Sequence, residues 1–307
     1  MDAANPEDRT AFEADQQRAI DEGIATAKGD KAIPRTLYHY TDAQGLMGIQ
    51  GDQCFWATNA RFLNDEFELS WSANVFGAEL EKTEPRSDRE GELLLRMDDA
   101  TSLINSGIEV FCCSFSEQPD DLNQWRGYAG GVSPYCLGVA SNRLSAQIQN
   151  SELFSVEYDE ARQNAIARQV IDITLDLYRS HETPADKREA RQLMGNCAHA
   201  FRIMTSYASL RFKSPHWASE KEWRLVSISS DERELEGRLL FRAGRFGVIP
   251  YIKLKMGNIG PRMLPITEVI VGPTALRDAT VQATKMYFRN QPNMHGPTVT
   301  ASTVPIR

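Results

Sequence analysis

The sequence predicts an α+β fold: mixed or antiparallel core sheets with helical layers and a helical insertion. Three observations predict it. Short β-prone runs occupy the first half of the chain and recur towards its end, residues 160–212 between them have a helical period, and no internal repeat, low-complexity tract or shift of composition marks a second domain. The expected organisation is an N-terminal helical extension over residues 1–33 and a single α+β domain over 34–307, with 160–212 as its helical insertion.

A chain of 307 residues, 41% hydrophobic and 25% charged, has the composition of an ordinary globular protein and buries a sizeable core. The net charge of −8 argues against coating nucleic acid through bulk electrostatics, although it leaves room for a local basic groove. No run approaches the roughly 18 apolar residues of a membrane span, and the start Met1-Asp2-Ala3-Ala4-Asn5-Pro6-Glu7 does not read as a signal peptide. The expectation is a cytoplasmic protein without a membrane partner. Cys54, Cys112, Cys113, Cys136 and Cys197 form no CxxC pair and read as buried free thiols. The histidines lack metal-ligand spacing, so no metal is expected.

In chain order, residues 7–28 have a weak helical period through Phe12, Ala19, Ile20 and Ile24 and read as a solvent-facing helix ended by Gly29 and Pro34. Leu37-Tyr38-His39-Tyr40-Thr41 reads as a strand, and Asp42 is a natural N-cap for a helix over 42–50. A strand follows at 54–58, then helices over 65–82 and through Leu93 to Ile104. Residues 108–116 form the clearest strand, stopped by Glu117-Gln118-Pro119-Asp120. Residues 122–131 mix Trp125, Tyr128 and Arg126 with three glycines and read as a binding loop. Strands are expected at 135–140 and 153–158 around a short helix over 141–149. Pro184 separates two long helices, on which Lys187, Arg188 and Arg191 form a solvated face. Further strands are expected at 220–228, 238–242, 248–255, 267–271 and 298–304, and a helix over 274–288.

Three strand motifs carry the chemistry: His39-Tyr40-Thr41, Ser114-Phe115-Ser116 and Glu220-Lys221-Glu222. Each has polar groups at i and i+2, which share one face of a strand, so a sheet can align all three around a cleft. His39 before a helix start also suits an anionic ligand. Taken singly, each motif has a plainer explanation: a structural histidine, a strand end, and surface ion pairs worth about 0–1 kcal/mol.

Together with Leu63-Asn64-Asp65, Gln124-Trp125-Arg126-Gly127-Tyr128, Glu222-Trp223-Arg224-Leu225-Val226 and Val271-Gly272-Pro273, these motifs make the chain resemble, along most of its length, the bacterial domain-of-unknown-function family 2971. A more distant resemblance is to ADP-ribosyltransferases, which carry a His or Arg on the first core strand, a Ser-x-Ser or aromatic element in the middle and a glutamate near the start of a later strand. Tyr40 stands where those transferases have a glycine.

The resemblance implies core sheets of ADP-ribosyltransferase-like type and NAD as substrate, without a metal. The macromolecular acceptor would be protein or nucleic acid, as for a bacterial toxin or phage-defence effector. Glu222 would stabilise the oxocarbenium-like ribose, and Glu220 would orient or deprotonate the acceptor. His39 would bind the adenosine-side ribose, Thr41 or the following helix end the pyrophosphate, and Tyr40 or Tyr128 the nicotinamide ring. Ser114, Ser116 and Trp125 would complete the walls. Arg126 and Arg224 are either phosphate forks or internal ion pairs. The alternative is a non-catalytic nucleotide- or partner-binding sensor module. A nuclease lacks the carboxylate cluster or the His and Lys pairing it would need.

Overall fold

A computed structural model of the chain describes residues 11–63, 67–101, 109–128, 134–148, 151–181, 185–229, 232–244, 247–255, 264–291 and 296–305. The expected Asn64-Asp65 motif lies outside these residues. The chain divides into two compact units: Met1–Asp30, Asn64–Ile108 and Val156–His216 make up one, and Lys31–Leu63, Glu109–Ser155 and Trp217–Arg307 the other. The architecture is mixed α and β, with a mostly antiparallel open sheet. No helix among the described residues is long and apolar enough to cross a membrane.

The first unit is helical: α1 (Ala11–Lys28), α3 (Phe67–Glu81), α4 (Asp88–Asp99), α7 (Glu160–Arg179) and α8 (Lys187–Ser209). Ser87, Asp159 and Asp186 cap α4, α7 and α8 by accepting from backbone N–H groups of the first turn. Helix α1 is not the solvent-facing helix its composition suggests, because Ala19, Ile20, Gly23 and Ala27 are buried with α7 and α8. The cluster around Phe76, Phe201 and Phe212 forms its core. Buried polar groups are tied to backbone. Gln163 donates to the carbonyls of Glu157 and Lys213 at 2.6 and 2.8 Å, and Arg211 donates to Ala27 O at 3.1 Å. Lys187, Arg188 and Arg191 are exposed.

The second unit holds the sheet: β1 (Thr36–Asp42), β2 (Cys54–Asn59), β3 (Glu109–Ser116), β4 (Pro134–Ala140), β5 (Glu152–Ser155), β6 (Glu222–Ser229), β7 (Leu240–Gly244), β8 (Gly247–Lys255), β9 (Ile266–Val271) and β10 (Thr298–Ala301). Their order is β10-β9-β4-β1-β3-β2-β8-β7, with β6 paired to β3 and β5. Among the described strands only β10 and β9 run parallel. Helices α2 (Ala43–Asp52), α6 (Ser141–Gln147) and α10 (Arg277–Arg289) contribute Leu46, Ile49, Leu144 and Phe288 to the core cluster on one face. That face also takes Leu37, Phe111, Phe115, Leu137, Trp223 and Leu225. Period-two alternation turns Tyr38, Tyr40, Cys136 and Ile270 to the opposite face. There Trp125 of α5 (Leu122–Tyr128) packs on Tyr40. Short α9 (Glu232–Leu235) follows β6.

Residues 122–128, expected as a loop, are helical because Asp121 accepts from the N–H groups of Asn123 and Gln124 at 2.8 and 3.1 Å. Residues 156–158 do not extend β5. Glu157 instead bridges to Phe212 within the helical unit.

Strand β3 is the seam of the sheet. One edge pairs with β6 from Glu109 to Ser116, whereas the other is shared: Phe111 and Cys112 pair with β2, and Ser116 pairs with Tyr38 of β1. Ser114 lies between and pairs with neither β1 nor β2. Its carbonyl instead accepts from His39 Nδ1 at 2.9 Å, which fixes the Nδ1–H tautomer. The His39 ring stands edge-on to Phe55, at 5.7 Å, and tilted against Phe115, at 5.5 Å. Burial, with Arg242 adding to it and the Ser114 bond opposing, lowers the His39 pKa from 6.5 to about 4.

Because the unfolded chain binds a proton here near pH 6.5 and the folded one does not until about pH 4, stability falls as pH drops through that window. Urea titrations from pH 7 to pH 4.5 are expected to show the fall, worth at most about 3 kcal/mol for a shift of this size, and His39→Gln is expected to flatten it.

Candidate functional site

The outer face of β1, β3 and β6 carries a small open cleft lined by Tyr38, Tyr40, Ser114, Phe115, Gln124, Glu220 and Glu222. Its floor follows from register. Tyr38 faces Ser116 across one ladder, and Ser116 faces Glu222 and Ser114 faces Arg224 across the next. Phe115 and Trp223 point their side chains into the core cluster on the other face, which obliges their polar neighbours to point outward.

Glu222 is 7% exposed and Arg224 is 2% exposed. Arg224 Nε and Nη2 donate to the two oxygens of Glu222 at 2.9 and 3.0 Å, a bidentate fork between residues i and i+2 of one strand. The fork fixes the rotamer of the carboxylate.

A backbone kink brings Glu220 to the same cleft. Lys221 has φ of 44°, a left-handed conformation that costs an ordinary residue roughly 1–2 kcal/mol. Bonds from the end of β3 hold it: Glu117 N donates to Lys221 O at 3.2 Å and Ser116 Oγ to Glu220 O at 2.6 Å. Glu117 in turn accepts from Lys31 Nζ at 2.6 Å and Trp223 Nε1 at 2.8 Å. Burial pushes the Glu117 pKa up, but those two bonds outweigh it and hold the carboxyl below its usual range.

Both tyrosines present neutral hydroxyls. Burial, reinforced by the bond to Glu268, raises Tyr38 to about 12, and its hydroxyl donates to Glu268 Oε1 at 3.0 Å. Glu268 reaches Tyr38 across Gly138, where a Cβ would fall 2.4 Å from Glu268 Cγ. Burial raises Tyr40 further. Its hydroxyl donates to Gln118 O at 2.7 Å and accepts from Asp121 N at 3.0 Å, so it is committed to the loop that precedes α5.

The expected site residues divide accordingly. Glu220, Glu222, Ser114 and Tyr40 meet at the cleft, and Arg224 and Ser116 stand behind them in structural bonds. His39 is turned to the core face, and Thr41, two residues on, shares that face; Thr41 Oγ1 lies where a Cβ of Gly45 would be, 1.9 Å away. Trp125 is 2% exposed, packs at 4.7 Å against Tyr40 and donates to Asp120 Oδ1 at 2.7 Å, which makes it part of the wall's support. Arg126 is exposed on α5. The side chain of Tyr128 lies outside the described residues. Tyr38 and Gln124 were missed. Tyr38 shares period two with Tyr40, a signal present in the sequence, but Gln124 reaches the cleft only through the placement of α5.

Removing one partner takes the bidentate fork away from a buried charge. Arg224→Met is expected to cost about 3–5 kcal/mol in urea denaturation, and the pair Glu222→Leu with Arg224→Met to recover more than half of that loss.

No curated protein and no solved structure matches this chain. The similarity that does emerge runs from Gln124 on α5 to Leu225 on β6, and so takes in Glu220, Glu222 and Arg224 but not the motifs of β1 and β3. Residues 124–225 match the model of a family described as a protein of unknown function, DUF2971.

Proposed function

We propose that the cleft takes the nicotinamide–ribose end of NAD and that the protein transfers ADP-ribose to a macromolecular acceptor. One observation carries this reading: Glu222 is a buried carboxylate, fixed by Arg224, on the face where Tyr38, Ser114 and Glu220 converge.

The chemistry follows from charge. The bond between ribose C1′ and the nicotinamide nitrogen breaks, its electron pair leaves with nicotinamide, and positive charge grows on the ribose. A preorganised carboxylate interacts more strongly with that charge than with the neutral sugar of the ground state. In this reading the carboxylate of Glu222 receives the ribose 2′-hydroxyl. Glu220 takes the proton of the acceptor nucleophile as its bond to C1′ forms. Tyr38 replaces His39 as the polar contribution of β1, and Arg224 acts as the partner of Glu222 and not as a phosphate fork.

The engagement of both Glu222 oxygens by Arg224 favours a second reading, a nucleotide-binding sensor without chemistry. Incubation with labelled NAD, cell lysate and nucleic acid separates the two. The first reading expects nicotinamide release and labelled acceptor, both reduced at least about 100-fold in Glu222→Gln, with NAD raising Tm in both proteins. A rise in Tm without nicotinamide release selects the sensor, and neither effect removes both readings.

A further inference from the structure

The NAD reading of the cleft leaves the phosphates of the dinucleotide without a partner. Arg224 is taken by Glu222, Thr41 lies with His39 on the core face, and Arg126 stands two residues from Gln124 on α5, a spacing that turns it away from the cleft. Another arginine shares the face of the cleft. Ser114 and Cys112 lie two residues apart on β3, with Cys112 Sγ 4.0 Å from Ser114 Oγ, and Cys112 faces Thr58 of β2 across the ladder. Thr58 Oγ1 accepts from Arg242 Nη2 of β7 at 2.7 Å. A rise of about 3.3 Å per residue and a spacing of about 4.8 Å between strands put Thr58 about 8 Å from Ser114 along that face. The charge of Arg242 is also felt at His39, whose ring is bonded to the Ser114 carbonyl.

The Arg242 guanidinium is held in place without being neutralised. It stands 5.8 Å from the Trp56 ring and 5.7 Å from the Tyr251 ring, and the two rings are tilted against each other at 5.2 Å. Asp52, which accepts from Trp56 Nε1 at 3.0 Å, is paired with Lys253 at 2.9 Å, whereas Arg242 makes no ion pair among the described residues. Arg242 is half-buried and keeps access to solvent. A planar cation fixed by one hydroxyl and two rings, with no carboxylate on its remaining N–H donors, is suited to a phosphate. We propose that Arg242 binds the pyrophosphate of the nucleotide whose ribose end occupies the cleft. This inference rests on the NAD reading: only a ribose and its 5′ carbon separate the scissile bond from the first phosphate, a short span of the same order as the step from Ser114 to Thr58.

The test is calorimetric titration of the full-length chain, of Arg242→Gln and of Arg242→Lys with ADP-ribose, which carries the pyrophosphate and lacks the scissile bond, alongside nicotinamide release from NAD. The unaltered chain is expected to bind ADP-ribose, less tightly as salt rises. Arg242→Gln is expected to weaken binding about tenfold to a hundredfold, the scale of a hydrogen bond to a charged group. Arg242→Lys keeps the charge and loses the planar fork, and is expected to lie between the two. Both variants are expected to unfold cooperatively on heating, so that the loss is one of binding and not of fold. No binding of ADP-ribose by the unaltered chain, or binding that Arg242→Gln leaves unchanged, would overturn the inference, and nicotinamide release in the same protein would leave the transferase reading standing. Binding of ADP-ribose through Arg242 without nicotinamide release would uphold the phosphate site and remove the transfer chemistry.

Discussion

The hydrogen bond from His39 to the carbonyl of Ser114 closes a gap that the topology creates. Strand β3 gives one whole edge to β6, and β1 and β2 must divide the other. Where they part, a backbone carbonyl is left without a strand partner, and a buried unmade hydrogen bond costs about 1–3 kcal/mol. An imidazole that is neutral throughout the physiological range supplies the donor, and its ring fills the space against Phe55 and Phe115. With the seam closed, the ladders of β1, β3 and β6 keep their registers, and those registers place Tyr38, Ser116 and Glu222 side by side.

On the other face of the seam the same ladder carries a costlier feature. Withdrawing a carboxylate and a guanidinium from water is expensive, and a bidentate fork offsets that only in part, so a buried pair is weak evidence for stability. A strained Lys221 lies one residue before Glu222, and its kink turns Glu220 towards the same cleft. Strain and buried charge in adjacent residues, on a surface that also gathers neutral hydroxyls, is the pattern of a site in which geometry serves something other than stability.

Much of the sheet was legible because β-prone runs such as 109–116 and 222–229 are long, apolar on alternate positions and bounded by turn residues. One of the three motifs was also legible in its facing: Phe115 within Ser114-Phe115-Ser116 seeks the core, and its neighbours must then face outward. Glu220-Lys221-Glu222 is not the strand it was expected to be, because Glu220 ends a 3-10 turn and Lys221 is left-handed, so the strand starts only at Glu222. The same logic applied to β1 points the other way: Leu37 seeks the core, so His39 at i+2 goes with it and Tyr38 and Tyr40 face the cleft. Reading His39-Tyr40-Thr41 as a unit hid that alternation. The helical character of residues 122–128 was obscured by the three glycines, and its N-cap, Asp121, decided the outcome. Gln124 at the cleft, and the burial of α1 against α7 and α8, depend on tertiary placement that local pattern does not encode.

The claim that the outer face of β1, β3 and β6 is the ligand site is tested most directly by backbone hydrogen exchange of the full chain with and without saturating NAD. The account predicts slowed exchange at residues 38–41, 114–118 and 218–224. Unchanged exchange along β1, β3 and β6, or protection confined to other segments, would contradict it.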